Sequence, residues 1–379
     1  MELSRAEGGT RERGTPLDLD RTGRPEAGGT PGGPVSGRGV WSLAALGVLA
    51  VLVAGASGEA DSLRARRKLD RGAGRERLVV GNPGEVTTPV AGGAVLIGGG
   101  SDRVSEAAFR LLIQQSGGGD LVVLREDKDP GYNQFIFDLG GLDSVETLGV
   151  GSREEAEDPQ VVVTVANAEA IFIAGGDQGA YVSAWDDTAL EAAVDAAIAR
   201  GVPIGGTSAG LAVLGAFDFT ALNGTVYSSE ALADPYNRYM TLGRTFLQAP
   251  HLAATITDSH FVARDRMGRL VAFLARIVQD GWAPEARGIG VDERTALLVA
   301  SDGTVTRVGE GAAYMLRTPG PPELCAPGQP LRFHNVGVYR LTGAATFDLV
   351  TWQGSGGLAY TVSAADGRLT STAPGGSLY

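Results

Sequence analysis

From residue 91 onward, short apolar runs alternate with stretches of helical period. In "GGAVLIGGGSD" a strand is predicted over Ala94 to Ile97, ending in three glycines, and "DLVVL" at 120 to 124 and "AIFIAGGDQ" at 170 to 178 repeat that design. Between such runs, "DTALEAAVDAAIARG" sets Leu190, Ala193, Val194, Ala197 and Ile198 on one helical face, with Asp187 or Thr188 able to cap its start and Gly201 its end. "VPIGG" reads as a further buried strand, and "SAGLAVLGAF" as a helix that begins at or just after Ser208. Buried strands alternating with helices predict an α/β fold, a parallel sheet flanked by helices, over residues 91 to 300. After residue 300 the pattern changes to alternating runs such as "TVTRV" and "LAYTVSA", with Asp302-Gly303 and Asp366-Gly367 as turn signals, so residues 301 to 379 are expected to form a β-rich C-terminal extension.

The N-terminal side has a different texture. Residues 1 to 39 mix Gly, Pro and charge with almost no large apolar residue, so they cannot bury enough surface to offset their ordering entropy and read as disordered. An apolar run at 40 to 56 follows, with Ala54 and Ala56 forming an A-x-A-like cleavage site. Residues 40 to 57 are therefore expected to be a signal peptide, making the protein exported, periplasmic or extracellular; the alternative is a membrane anchor formed by residues 40 to 56. "RARRKLDR" just after the run favours the anchor, since positive charge tends to stay in the cytoplasm. Residues 58 to 90 read as a linker.

A net charge of −12 disfavours nucleic acid as a partner, because displacing counterions from a phosphate backbone needs clustered positive charge. One cysteine, Cys325, excludes an intrachain disulfide, and three histidines with no HExxH or CxxC spacing leave little from which to build a metal site. No metal or cofactor is expected.

Gly206-Thr207-Ser208-Ala209-Gly210 is a G-x-S-x-G pattern between a predicted strand and a predicted helix, the setting in which a sharp turn presents a serine hydroxyl and the backbone N–H of Ala209 can face a developing oxyanion. A serine N-cap on a glycine-rich helix entry would read the same way. A nucleophilic serine needs a base, and only His251, His260 and His334 are available. His260 lies in "TITDSHFVARDRMGRLVAF", where a β-type run meets a polar corner and then a helix carrying Arg264, Arg266 and Arg269. Three guanidinium groups beside a base suggest an anionic substrate, while a solvated face paired to Asp265 and Asp280 is the bland alternative. His251 and His334 read as structural. An orienting acid could come from Asp292 or Glu293 in "GIGVDERTALLV".

"FIAGGDQ", "GGTSAG", "TDSHFVARDRMGRL" and "GIGVDERTALL", in this order and at these separations, resemble the cyanophycinase family of serine peptidases, in particular its exported branch. The resemblance implies a fold like that of class I glutamine amidotransferases (flavodoxin-like). It implies hydrolysis of cyanophycin, a poly-aspartate whose side chains carry arginine in isopeptide linkage, with release of β-Asp-Arg. By motif it makes Ser208 the nucleophile, His260 the base and Glu293 the third member, with Ala209 and the backbone near Gly176 as oxyanion donors. Gln178, Asp258, Arg264, Arg266 and Arg269 would line the substrate pocket, Asp258 receiving a substrate guanidinium. The chain departs from the family at Ser259, where Gln is common, which removes a long amide from the pocket wall and bears on which Asp-rich or β-linked peptide is cut. A dipeptidase E-like aspartyl exopeptidase and a catalytically inactive binding protein of the same fold are the rival expectations; a homodimer is a possible assembly.

Overall fold

Runs of four to six apolar residues bounded by glycine are too short for helices that span a core, and they pair side by side. The computed structural model describes residues 68–69, 76–100, 105–244, 246–247 and 249–379. Ser144–Gly149, Asp120–Arg125, Ala170–Ile173, Ile204–Thr207 and Ala94–Ile97 lie in that spatial order, each parallel to its neighbour. Alternate side chains of one strand go to opposite layers: Val95 and Ile97 pack with Phe109, Leu112 and Phe172, whereas Ala94 and Leu96 pack with Leu190, Val194 and Leu211. With both faces covered, all four residues of Ala94–Ile97, Ala170–Ile173 and Ile204–Thr207 are buried, which is why these runs, Thr207 apart, are apolar or glycine rather than alternating. The helix expected after Asp187 spans Ala189–Ala199; Thr188 caps it, Leu190, Ala193, Val194 and Ala197 are buried, and Gly201 follows at φ +90°.

The fold is α/β with mixed sheets and flanking helices, and it differs from the expected single parallel sheet in having two. In the second, Thr255–Asp258 runs parallel to both Phe217–Phe219 and Arg287–Val291. The strands beyond residue 300 form no separate layer. Thr304–Gly309 extends the first sheet through Thr295–Val299, and Ala313–Arg317 extends the second through Arg287–Val291, so each covers an edge that would otherwise expose unpaired backbone.

Two further expectations are corrected. The helix after Ser208 is a single turn, Ala209–Ala212, and the chain re-enters strand at Phe217–Phe219. The cause is Gly215, where the backbone passes so close to the neighbouring strand that a Cβ would sit 2.5 Å from the Thr255 carbonyl oxygen. The expected linker contains the strand Glu76–Gly81, antiparallel to Ser144–Gly149, with Val79 and Val80 buried. The expected disordered segment 1–39 and signal or anchor segment 40–57 lie outside the described residues; among those described, no helix is long and apolar enough to cross a membrane.

Candidate active site

The carboxyl ends of Ala94–Ile97, Ala170–Ile173 and Ile204–Thr207 open at one edge of the first sheet, where parallel α/β sheets place their ligands. Thr207 leads directly into Ser208, which stands at φ 53° and ψ −111°, a conformation that non-glycine residues hold only when their surroundings enforce it. The enforcement is close packing. A Cβ on Gly206 would lie 2.4 Å from the Gly210 carbonyl oxygen, and one on Gly210 would lie 2.1 Å from that of Ile173, so only glycine permits the corner on either side of the serine. The Ser208 N–H donates to the Ile97 carbonyl at 3.1 Å. Ser208 is half-buried, so its hydroxyl can be reached from outside.

The second sheet supplies the partners. After Thr255–Asp258 the chain turns at His260, whose φ of 46° is again left-handed and whose N–H donates to the Gly98 carbonyl at 2.8 Å. Ser208 Oγ lies 2.7 Å from His260 Nε2, and His260 Nδ1 lies 2.7 Å from Glu293 Oε1. Burial lowers the pKa of His260 below its ordinary value, against the opposing hydrogen bond to Glu293 and with the aid of Arg264 and Arg266. The bond to His260 lowers that of Glu293. Both directions favour a neutral imidazole donating Nδ1–H to an ionised carboxylate, which leaves the Nε2 lone pair to accept from the serine. The neighbouring Asp292 is committed elsewhere, its two oxygens accepting from the N–H groups of Val262 at 3.0 Å and Ala312 at 2.8 Å.

The residues expected in the substrate pocket are divided. Asp258 is 2% exposed and Arg269 is 2% exposed; Arg269 Nε meets Asp258 Oδ2 at 2.7 Å and Arg266 Nη1 meets Asp258 Oδ1 at 3.0 Å. The three form an internal ion triad behind the turn, so Asp258, Arg266 and Arg269 do not line a pocket. Nor does one helix carry the three arginines. The helix spans Met267–Gln279, Arg266 precedes it, and Arg264 lies in the turn, exposed. Gln178 starts the helix Gln178–Trp185 and its amide reaches the Phe219 carbonyl at 3.5 Å. Gly175 packs on the serine, a Cβ there lying 3.5 Å from Ser208 Cβ, and Gly176 beside it is exposed. His251 Nε2 reaches the Ser301 carbonyl at 3.0 Å and His334 pairs with Glu323, both away from this cluster.

Residues 134–307 match the model of peptidase family S51. Over 283 residues the chain is 27% identical to a cyanophycinase of Nostoc sp., covering 70% of this chain and 89% of that one. It is 29% identical over 230 residues to a cyanophycinase of Synechococcus elongatus, covering 58% of this chain and 66% of that one. By sequence the chain is thus similar to peptidase family S51 and to cyanophycinases. The crystal structure of a peptidase from an acI-B1 Actinobacterium aligns with a TM-score of 0.47 at 18% identity, over 69% of this chain and 98% of that one.

One element of this site was missed in the sequence. Gly98, Gly99 and Gly100 form the floor on which base and acid are set: the Gly98 carbonyl takes the His260 N–H, and the Gly99 carbonyl takes that of Arg294 at 2.7 Å. Gly99, at φ +88°, lies directly under the imidazole, and a Cβ there would sit 2.5 Å from His260 Cε1. The signal was present as three consecutive glycines at a strand end, more than one turn needs.

Proposed function

We propose that this chain is a serine-type peptidase of family S51 that hydrolyses cyanophycin or a related Asp-rich, β-linked peptide through an acyl-enzyme. The reading rests above all on one observation, the continuous relay Ser208 Oγ, His260 Nε2, His260 Nδ1, Glu293 Oε1, with 2.7 Å at each hydrogen bond. In the first step Ser208 Oγ attacks an amide carbonyl carbon while its proton passes to His260 Nε2, and Glu293 stabilises the imidazolium that forms. The oxyanion faces the backbone N–H groups of Ala209 and of the Gly175-Gly176 segment. Collapse breaks the C–N bond and the proton moves from His260 to the leaving amine; water then repeats the sequence on the ester, returning the proton to Ser208. Arg264, exposed on the turn that carries the base, is suited to a substrate carboxylate. The apolar run at 40–56 with its A-x-A-like end supports export as part of the same reading.

The test is incubation of residues 57 to 379 with cyanophycin, with a panel of aspartyl dipeptides and with a serine-reactive phosphonate, using Ser208→Ala as control. Wild type should release β-Asp-Arg and be labelled at Ser208, and Ser208→Ala should do neither. Cleavage of dipeptides but not polymer would move the assignment to an aspartyl exopeptidase, and a folded wild type that resists the phosphonate would make it a binding protein.

A further inference from the structure

The turn 259–266 carries both His260 and Arg264, and its internal bonds, Arg264 N–H to the His260 carbonyl at 3.0 Å and Arg266 N–H to the Phe261 carbonyl at 2.9 Å, are backed by ties to other parts of the chain. The first half is tied by backbone bonds: His260 N–H to Gly98, Phe261 N–H to the Val291 carbonyl at 3.2 Å, and Val262 N–H to Asp292. The second half includes Asp265 at φ 48°, another left-handed non-glycine residue, which costs on the order of 1–3 kcal/mol and persists only where its surroundings hold it. Two ties from outside the turn hold it: the Ser228 hydroxyl donates to the Asp265 carbonyl, and from 114 positions further along the chain the Tyr379 hydroxyl donates to Asp265 Oδ1 at 2.7 Å and accepts the Met267 N–H at 3.0 Å.

We propose that Tyr379 is a positioning residue for the base, fixing the turn 259–266 so that His260 and Arg264 are presented to a substrate at Ser208. This rests on the peptidase reading above. Three observations carry it. The phenol bonds both sides of the turn's exit, and because its oxygen accepts from Met267, its own hydrogen is directed at Asp265. The Tyr379 ring stands edge-on to Phe261, the residue after the base, at 6.0 Å and 84°, and to Tyr314 at 5.8 Å and 84°, so one side chain braces the start of the turn as well as its end. The segment bearing Tyr379 is itself anchored, the Tyr360 hydroxyl donating to the Leu378 carbonyl at 2.7 Å. Tyr379→Phe removes both bonds and keeps the ring, so it isolates the order of the turn from the packing of the core.

The experiment compares wild type, Tyr379→Phe and Asp265→Ala in the full chain by rate of phosphonate labelling at Ser208, by its pH profile and by thermal unfolding. Tyr379→Phe should slow labelling about three- to tenfold, the worth of a hydrogen bond or two, with only a small change in melting temperature. Its acid limb should move to higher pH, because a loosened turn admits water to His260 and relaxes the burial that lowers the base's pKa. Asp265→Ala breaks one of the same bonds from the other side, and the double variant should lose little more than Tyr379→Phe alone. A Tyr379→Phe protein that is labelled at the wild-type rate with an unshifted limb overturns this proposal and leaves the peptidase reading standing. A folded wild type that resists labelling overturns both. If Tyr379→Phe fails to fold, Asp265→Ala decides alone, by the same labelling rate and limb.

Discussion

Asp258 and Asp218 lie on adjacent parallel strands of the second sheet, and both are almost completely removed from water, at 2% and 1% exposure. Their electrostatics are opposite. Burial would raise the pKa of Asp258, but Arg269 and Arg266 outweigh it and hold the carboxyl below its ordinary value. No such cation among the described residues offsets the burial of Asp218. Burial, with Asp186 adding to it, pushes its pKa up to about 7, and its Oδ2 has no hydrogen-bond partner among the described residues. The lesson is that depth alone does not decide what a buried carboxylate does; the number of guanidinium groups facing it does. Beside the candidate active site two arginines keep one aspartate ionised, and one strand in from the edge of the same sheet burial raises the pKa of the other.

The sharpest way to break this comparison is to remove the anion from the triad. Asp258→Ala leaves two guanidinium groups buried without their counter-ion and should destabilise the fold by about 3–5 kcal/mol in denaturant unfolding. Replacing all three charged residues with apolar ones of similar volume should cost much less, since the penalty lies in the unpaired charge and not in the lost pair. A mild effect of Asp258→Ala alone would show that the pair does not hold the interior together.

Next in size is the pH dependence of the other aspartate. The folded-state pKa of Asp218 is raised, so the folded protein binds its proton more tightly than the unfolded chain, and stability falls as pH rises from the unfolded value of 3.8 towards 7. Asp258 has the reverse sign, contributing stability above the unfolded value and losing it as pH falls through its lowered folded value. Asp218→Asn should therefore match wild type below the unfolded pKa of 3.8 and exceed it by about 4 kcal/mol at about pH 7, at 1.36 kcal/mol per unit. A difference between the two proteins that stays flat with pH would mean Asp218 is ionised throughout.

How much of this was readable beforehand depended on range. The corner at Ser208 was legible because its requirements are local: two glycines two residues either side of a serine, at the junction of an apolar strand and a helix. His260 was legible by scarcity. Between Asp292 and Glu293 the residues themselves left the choice open, for adjacent turn carboxylates differ only in direction, and it is the N–H groups of Val262 and Ala312 that claim Asp292. The division into two sheets was hidden for a related reason, since alternation along a strand names its two faces but not its neighbours. The arginines were the most misleading. Spaced two and three residues apart, Arg264, Arg266 and Arg269 look like one row, but the helix begins only at Met267, and the backbone turns two of the three inward to Asp258.

That division yields the smallest and most specific prediction. Arg264 is exposed, while Arg266 and Arg269 are locked to Asp258, so Arg264→Ala should leave stability within about 0.5 kcal/mol of wild type. Its effects should appear in binding and in titration. Loss of a guanidinium that can meet a carboxylate should raise KM for an acidic peptide about three- to tenfold with kcat little changed. Arg264 also disfavours the imidazolium form of His260, so removing it should raise the pKa of the base. Because the base works in its neutral form, activity climbs as pH rises through that pKa, and the acid limb should move to higher pH. In wild type, added salt should move the limb in the same direction by screening the exposed charge, and in Arg264→Ala that part of the salt response should be gone. A variant whose limb stays in place with its salt response intact would mean that the buried Arg266, and not the exposed Arg264, sets the electrostatics of the base.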